Sequence, residues 1–254
     1  MKYFLLVIGT LSFLILNFSK ALENESTEDE MDANPFAVVE LFTSEGCYSC
    51  PPADKLLSKI IDDAREKDRR VFALAFHVDY WDRLGWKDAF SSKEFSDRQR
   101  DYAQAFRSNS IYTPQMIVNG TKEFVGSESE TAFKTISSVL ENPPYAEIEL
   151  STDFNRDMDM VTVNYKISGL IENANVNIAL VERNIVREIG HGENGGKTLN
   201  HDNVVRAFEV KNAKKTGSQT LSIPNDADLK NASVFVYVQD KKSKVIAGAE
   251  KIDF

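Results

Sequence analysis

Val38-Val39-Glu40-Leu41-Phe42-Thr43-Ser44-Glu45-Gly46-Cys47-Tyr48-Ser49-Cys50-Pro51-Pro52-Ala53-Asp54 runs from an apolar, β-branched stretch through a short turn into two cysteines and two prolines. Residues 37–42 predict a buried strand interrupted by Glu40, and 43–46 predict a turn. Beyond the prolines Leu56, Leu57, Ile60 and Ile61 recur at helical spacing. Residues 53–64 therefore predict an amphipathic helix, with the charged stretch 62–70 as its solvated end. Residues 71–78 form a second apolar run, too short and β-rich for a helix. The cysteines thus fall where a strand hands over to a helix.

Further along, 79–90 has no period and holds both tryptophans, Trp81 and Trp86; it predicts an ordered loop or broken helix. Phe95, Tyr102 and Phe106 give 93–107 a helical spacing, with Ser92 as N-cap. Residues 115–119 and 121–125 predict two strands meeting at Asn119-Gly120, a strong hairpin signal. A last helix over 131–140 stops at Asn142-Pro143-Pro144. Strand, crossover helix, strand and then a hairpin predict a mixed sheet with helices packed on it. From Ala146 the texture becomes short β-rich runs between polar turns, as in the alternation of 161–167, which predicts a small β-sandwich. The expected organisation is an α/β domain over 36–143 with an insertion at 79–108, then a mainly-β sandwich-like domain over 144–254.

The N-terminus speaks to compartment. Lys2, the apolar run 3–18 and Ser19-Lys20-Ala21 match the three parts of a cleavable export signal over 1–21. Loss of Lys2 and Lys20 takes the net charge from −9 to −11. Six of the ten residues 23–32 are acidic, so 22–35 predicts a solvated tether. Export to the periplasm or beyond is the expectation, with no further membrane span. The acidic balance excludes nucleic acid as a partner, because phosphate binding needs a basic surface.

Cys47 and Cys50 are the chain's two cysteines, three residues apart, and an oxidising compartment lets them pair. A ring this small gives little bracing by chain entropy, roughly 2 kcal/mol, which favours exchange over a structural role. A thiol at a helix N-terminus faces unpaired N–H groups that favour the thiolate. Cys47, expected to be the more exposed, would attack a substrate disulfide and Cys50 would resolve it. Glu40 is a candidate proton acceptor behind them. Trp81 and His77 lie just after the second strand, where ligands gather in α/β sheets. Two other readings use the same residues: a soft-metal site for Cu(I) built from Cys47, Cys50 and His77, with Met116 as a further donor, and an inert disulfide in a structural protein. No cofactor is expected. A Gly-rich loop carrying His191, Glu193, His201 and Asp202 is a surface loop by default; a sharper expectation folds it back over the cysteines, with Arg206 meeting an acidic group.

The segment 38–50, taken with Thr113-Pro114-Gln115-Met116-Ile117-Val118-Asn119-Gly120 and Val125-Gly126-Ser127, resembles thioredoxin-fold proteins of the glutaredoxin branch. Cys50-Pro51-Pro52-Ala53-Asp54, Phe76-His77-Val78-Asp79-Tyr80-Trp81-Asp82 and Tyr112-Thr113-Pro114 more closely resemble a secreted or periplasmic bacterial family labelled domain of unknown function 1223. The resemblance implies a thioredoxin-like α/β domain, a redox role for Cys47 and Cys50, and a cis-proline at Pro114. It places Thr113, Gly126 and Ser127 at a substrate subsite; the expected partners are protein or small-molecule thiols and disulfides.

Overall fold

The computed structural model describes residues 34–155, 158–169 and 172–254. The leader expected over 1–21 and the acidic tether, apart from residues 34 and 35, lie outside the described residues. Residues Asn34–Phe254 form one compact unit, a mixed α/β structure with one large mixed sheet and two smaller antiparallel ones.

β1 (Ala37–Thr43) is buried along its whole length and pairs in parallel with β2 (Val71–His77). Between them α1 (Pro51–Glu66) crosses over, with Pro51 and Pro52 in its first turn, where a missing N–H costs least. A 3-10 helix (Asp79–Leu84) follows β2. α2 (Lys93–Ala105) begins at Ser92, whose hydroxyl accepts the Glu94 N–H at 3.1 Å. β3 (Gln115–Val118) runs antiparallel to β1 and pairs with β4 (Lys122–Val125). Asn119 and Gly120 both have positive φ at the centre of that three-residue connection, and the Thr121 N–H donates to the Val118 carbonyl at 3.2 Å, as in a turn of the primed type. Gly120 also lies against the Lys244 carbonyl, where a Cβ would overlap it. α3 (Ser129–Val139) closes the first half.

The long sheet does not stop at residue 143. Beyond it come β5 (Ala146–Asn155), β6 (Met160–Gly169), β7 (Ala174–Glu182), β8 (Ile185–Glu188), β9 (Thr198–His201), β10 (Val204–Asn212), β11 (Thr216–Ser222), β12 (Ala232–Asp240) and β13 (Ile246–Asp253). The eight-stranded order is β13-β12-β7-β10-β2-β1-β3-β4. β10 meets β2 in parallel at Val204 and Ala75, and the Asn203 side chain donates to the Ala73 carbonyl at 2.8 Å. The boundary expected near 143 therefore falls between strands of one sheet.

Strand parity sorts the core into layers. Val39 and Leu41 of β1 face α1 and α3, packing on Leu56, Leu57, Ile60 and Ile136. Val38 and Phe42 face the other way, towards Phe95 and Tyr102 of α2. Aromatic pairs carry that second layer across the junction, with Phe72–Phe235 at 5.8 Å and Phe76–Phe208 at 5.2 Å between ring centroids. Over the far half of the long sheet, the three-stranded sheet β11-β6-β5 stacks Val161, Val163 and Ile167 on Val176, Ile178, Val234 and Val236. That pairing is the sandwich-like part. β8 and β9 form a separate two-stranded ribbon.

Candidate redox site around Cys47 and Cys50

The two cysteines are joined in a disulfide just beyond the C-terminal end of β1, with Cys50 at the N-cap of α1. The turn before them is held locally: the Cys47 N–H donates to the Ser44 carbonyl at 3.1 Å, and the Gly46 N–H to the Ser44 hydroxyl at 3.1 Å. On one side the Thr113 hydroxyl lies 3.4 Å from Cys47 Sγ and accepts the Trp81 indole N–H at 2.7 Å. The Thr113–Pro114 peptide is cis. Trp81 packs on Gly46, where a Cβ would stand 3.3 Å from Trp81 Cβ. Gly126 lies buried against Pro114, its N–H donating to the Pro114 carbonyl at 2.9 Å. A Cβ on Gly126 would come within 2.7 Å of Leu41 Cδ1, so close packing accounts for the glycine. Ser127 is exposed, ahead of Glu128 and the start of α3.

Two expectations are corrected here. Cys47 is not the more exposed sulfur: both cysteines are at 0% exposure, while Tyr48 between them is 67% exposed. The helix N-terminus also offers the sulfurs few donors, since Pro51 and Pro52 have no N–H and those of Ala53 and Asp54 both go to the Cys50 carbonyl. The orphaned donors that would stabilise a thiolate are largely consumed.

Glu40 is placed elsewhere. Its carboxylate, fully buried, takes the Arg98 guanidinium at 2.6 and 3.0 Å, the Tyr237 hydroxyl at 2.6 Å and the Tyr102 hydroxyl. Arg98 is held above its ordinary pKa: burial alone would lower it, but the charge on Glu40 outweighs that. The knot ties β1, α2 and β12 together on the sheet face opposite α1, and none of its hydrogen bonds reaches a cysteine.

Beneath the cysteine turn lies a different set of ionisable groups, all buried: Glu45, Asp54, His77, Asp88 and His201. His77 Nδ1 and Asp88 are 2.7 Å apart. Burial pulls His77 down, yet the Asp88 carboxylate more than offsets it and leaves the pKa raised. Asp88 in turn sits at about 2, where its charged partner and hydrogen bonds overcome burial. Asp54 accepts the Thr43 hydroxyl at 2.8 Å, and burial pushes its pKa up to about 7. Burial, helped by the Asp88 charge, raises Glu45 too; its carboxyl takes the Trp86 indole N–H at 2.7 Å and Arg187 at 3.0 Å. His201 lies 3.7 Å from Glu45 and 3.8 Å from Asp54, but burial and the nearby His77 hold it at about 3, so it stays neutral.

The second half of the chain reaches over this site. Asn194, fully buried, donates to the carbonyls of Glu45 and Cys47, and Glu193 accepts the Tyr48 N–H at 2.9 Å. Lys197 sits 4.4 Å from the Tyr48 ring. Trp86 packs under the same loop against Gly190 and Gly192, where a Cβ would meet its ring or Cβ at 3.2 and 3.0 Å. Loop 189–197 thus folds over the cysteine turn, through Glu193 and Asn194. His201 points inward, Asp202 takes the Asn184 N–H at 3.0 Å, and Arg206 pairs with Glu182 and Asp226.

For the Cu(I) reading, both sulfurs are engaged in the disulfide and His77 Nδ1 in its bond to Asp88. Among the described residues no group of three or more His, Cys, Asp or Glu side chains is arranged to hold a metal ion. Nor is any helix among them long and apolar enough to cross a membrane. Sequence reasoning passed over Asp54, Asp88 and Asn194. Asp54 closes the Cys50-Pro51-Pro52-Ala53-Asp54 motif and Asn194 follows Glu193 in the Gly-rich loop, whereas Asp88 carried no signal among so many acids.

The family model described as protein of unknown function (DUF1223) matches residues 38–239. The X-ray structure of a protein from Agrobacterium tumefaciens is similar at 28% identity and a TM-score of 0.64, with 85% of this chain and 93% of that one covered. A domain of the outer membrane lipoprotein Omp28 from Porphyromonas gingivalis matches 42% of this chain and 94% of that one at 17% identity, with a TM-score of 0.27. No curated protein matches.

Proposed function

The chain belongs to the DUF1223 family of proteins of unknown function, and we propose that in this member Cys47 and Cys50 carry out thiol–disulfide exchange outside the cytosol, on a thioredoxin-like framework. One observation carries the reading. The disulfide lies at the junction of a central strand and its crossover helix, with the Thr113 hydroxyl 3.4 Å from Cys47 Sγ on the segment that enters β3. A brace has no need of a hydroxyl presented to one sulfur, whereas a nucleophile gains from a donor that steadies its developing charge.

In the reduced protein the Cys47 thiolate attacks one sulfur of a substrate disulfide, forms a mixed disulfide and expels the other half as a thiolate. The Cys50 thiolate then attacks Cys47 Sγ, closes the intramolecular disulfide and releases the second thiolate. Two electrons pass from the dithiol to the substrate, and the reverse sequence oxidises a substrate dithiol. Thr113 steadies Cys47, Pro114 and Trp81 shape the approach, and Asp54, four residues beyond Cys50 and raised by burial to about 7, is better suited to hold a proton beside the pair than Glu40, which is paired with Arg98. Because both sulfurs are buried, exchange requires the Glu193–Asn194 loop to lift.

The burial favours a second reading as well, an inert brace. A glutathione redox titration of the full chain separates them. Potentials between about −120 and −270 mV fit an exchange protein, and a value below about −300 mV fits a brace and removes the redox reading. Few free helix donors disfavour the thiolate, so a value nearer −270 than −120 mV is expected.

A further inference from the structure

Beside the disulfide, between the first turn of α1 and β9, runs a groove of about 690 Å³ whose walls include Tyr48, Pro51, Pro52 and Leu199, with Lys55 and Lys197 among its lining residues. We propose that this groove receives an extended, acidic stretch of a polypeptide substrate laid along β9, a reading that rests on disulfide exchange at Cys47–Cys50.

Charge argues for the acidic character. The chain carries a net charge of −9, so an acidic segment is repelled by most of its surface and admitted only where cations stand unneutralised. The lysines in ion pairs among the described residues are Lys67, Lys93, Lys166, Lys211 and Lys251; Lys55 and Lys197 are not among them. Lys197 is held by uncharged partners, the Asn194 side-chain oxygen at 2.9 Å and the Tyr48 ring. The Glu193 carboxylate, which accepts the Tyr48 N–H, does not line the groove, and Asp54 on the groove's wall is buried.

Strand geometry argues for the extended form. β9 pairs with β8 along one edge, and among the described residues no third strand joins that ribbon. Thr198, Leu199 and Asn200, consecutive residues of both parities, all line the groove opposite Pro51, Pro52 and Lys55 of α1, as a strand's edge does. Thr198 and Asn200 are exposed there, while Leu199 and His201 turn inward. A free edge of this kind takes an added strand through main-chain hydrogen bonds, with alternate side chains setting the preference. A segment lying along β9 passes Tyr48, one of the two exposed residues between the cysteines.

The test is fluorescence anisotropy on the full chain with its disulfide intact, using labelled cysteine-free octapeptides of alternating Val and Glu or Val and Lys. The Glu peptide is expected to bind at least tenfold more tightly. The double variant K55E/K197E, checked for folding by its melting curve, is expected to reverse that order, and N-methylation of alternate amides in the Glu peptide to abolish binding. Equal binding of the two peptides, a preference unmoved by the double substitution, or binding indifferent to N-methylation overturns the proposal. Exchange of the wild-type chain with neutral hydroxyethyl disulfide is measured alongside. If exchange fails while peptide binding holds, the redox reading falls and the groove does not; the opposite pattern removes the groove alone.

Discussion

Asn194 donates its side-chain amide to the carbonyl oxygen of Cys47 at 2.9 Å, across 147 positions of chain. Because the bond is to backbone and not to sulfur, opening the disulfide removes neither its donor nor its acceptor. The loop is held besides by Glu193 on the Tyr48 N–H and by Trp86 packed under Gly190 and Gly192.

Asn194→Ala leaves the buried Glu45 carbonyl without a donor and the Cys47 carbonyl with the Cys50 N–H alone, a loss of about 1–3 kcal/mol that falls on the closed form of the loop. Reduction of Cys47–Cys50 by dithiothreitol, followed by thiol trapping, is expected to speed up by about tenfold, the factor that 1.4 kcal/mol represents. An unchanged rate would show that the loop does not control access.

Asp54 titrates at about 7 when folded, against 3.8 for an ordinary aspartate. A folded pKa above the unfolded one means that the folded state binds the extra proton. Its contribution is therefore fully present below about pH 4 and is lost as pH rises through 7. Asp54→Asn has no such proton to lose. Urea unfolding is expected to show the variant gaining on the wild type from pH 4 to pH 7 and levelling off above. His201 acts in the opposite sense, because its folded pKa of about 3 lies below 6.5: its contribution is present above 6.5 and lost as pH falls towards 3. Because Asp54 lies 3.8 Å from His201, the two are not independent, and the comparison is made in a His201→Asn background. A difference flat with pH contradicts the assignment.

Arg98→Met strands the Glu40 carboxylate in the core and is expected to cost about 3–5 kcal/mol of stability by denaturant unfolding. Arg98→Lys is expected to restore little, since one ammonium cannot span Glu40, Tyr102, Tyr237 and Gln239 as the guanidinium does. Glu40→Gln should lower the melting temperature yet leave the potential of Cys47–Cys50 where it was. A shifted potential would return Glu40 to the redox site.

Thr113→Val removes the hydroxyl beside Cys47 Sγ and the acceptor of the Trp81 indole. Alkylation of Cys47 in the reduced protein is expected to slow about tenfold with a raised thiol pKa, as befits a lost hydrogen bond of about 1.5 kcal/mol to a charged group. Thr113→Ser keeps the oxygen and should restore the pH profile. If Ser and Val behave alike, the hydroxyl has no part in setting the thiol.

Much of the first half was legible in local pattern. The buried run before Cys47, the α1 periodicity, the Ser92 cap and the Asn119-Gly120 turn each rest on interactions within a few residues. The misplacement of Glu40 is a matter of parity: it shares its strand face with Val38 and Phe42 and so meets α2, while the cysteine-bearing helix α1 packs on Val39 and Leu41. β8 and β9 escaped notice because four residues each, largely polar, are too short for alternation to stand out. The Asn194 bridge and the His201 placement arise from approaches across more than a hundred residues, which no window of sequence displays.

The seating of β10 against β2 also governs the order in which this chain can be assembled. Until Asn203 and Val204 are available the β2 edge has no partner there, and until Phe208 and Phe235 follow, Phe76 has only the rings of Phe42 and Phe95 against it and Phe72 lacks its edge-on partner, although everything up to α3 has already been made. Such late, distant pairing raises contact order and slows folding, and it leaves an open apolar edge of the sort that invites aggregation. A fragment ending near residue 143 is therefore expected to leave the β2 edge unpaired, so the C-terminal strands serve the cysteine site by completing the sheet that carries it.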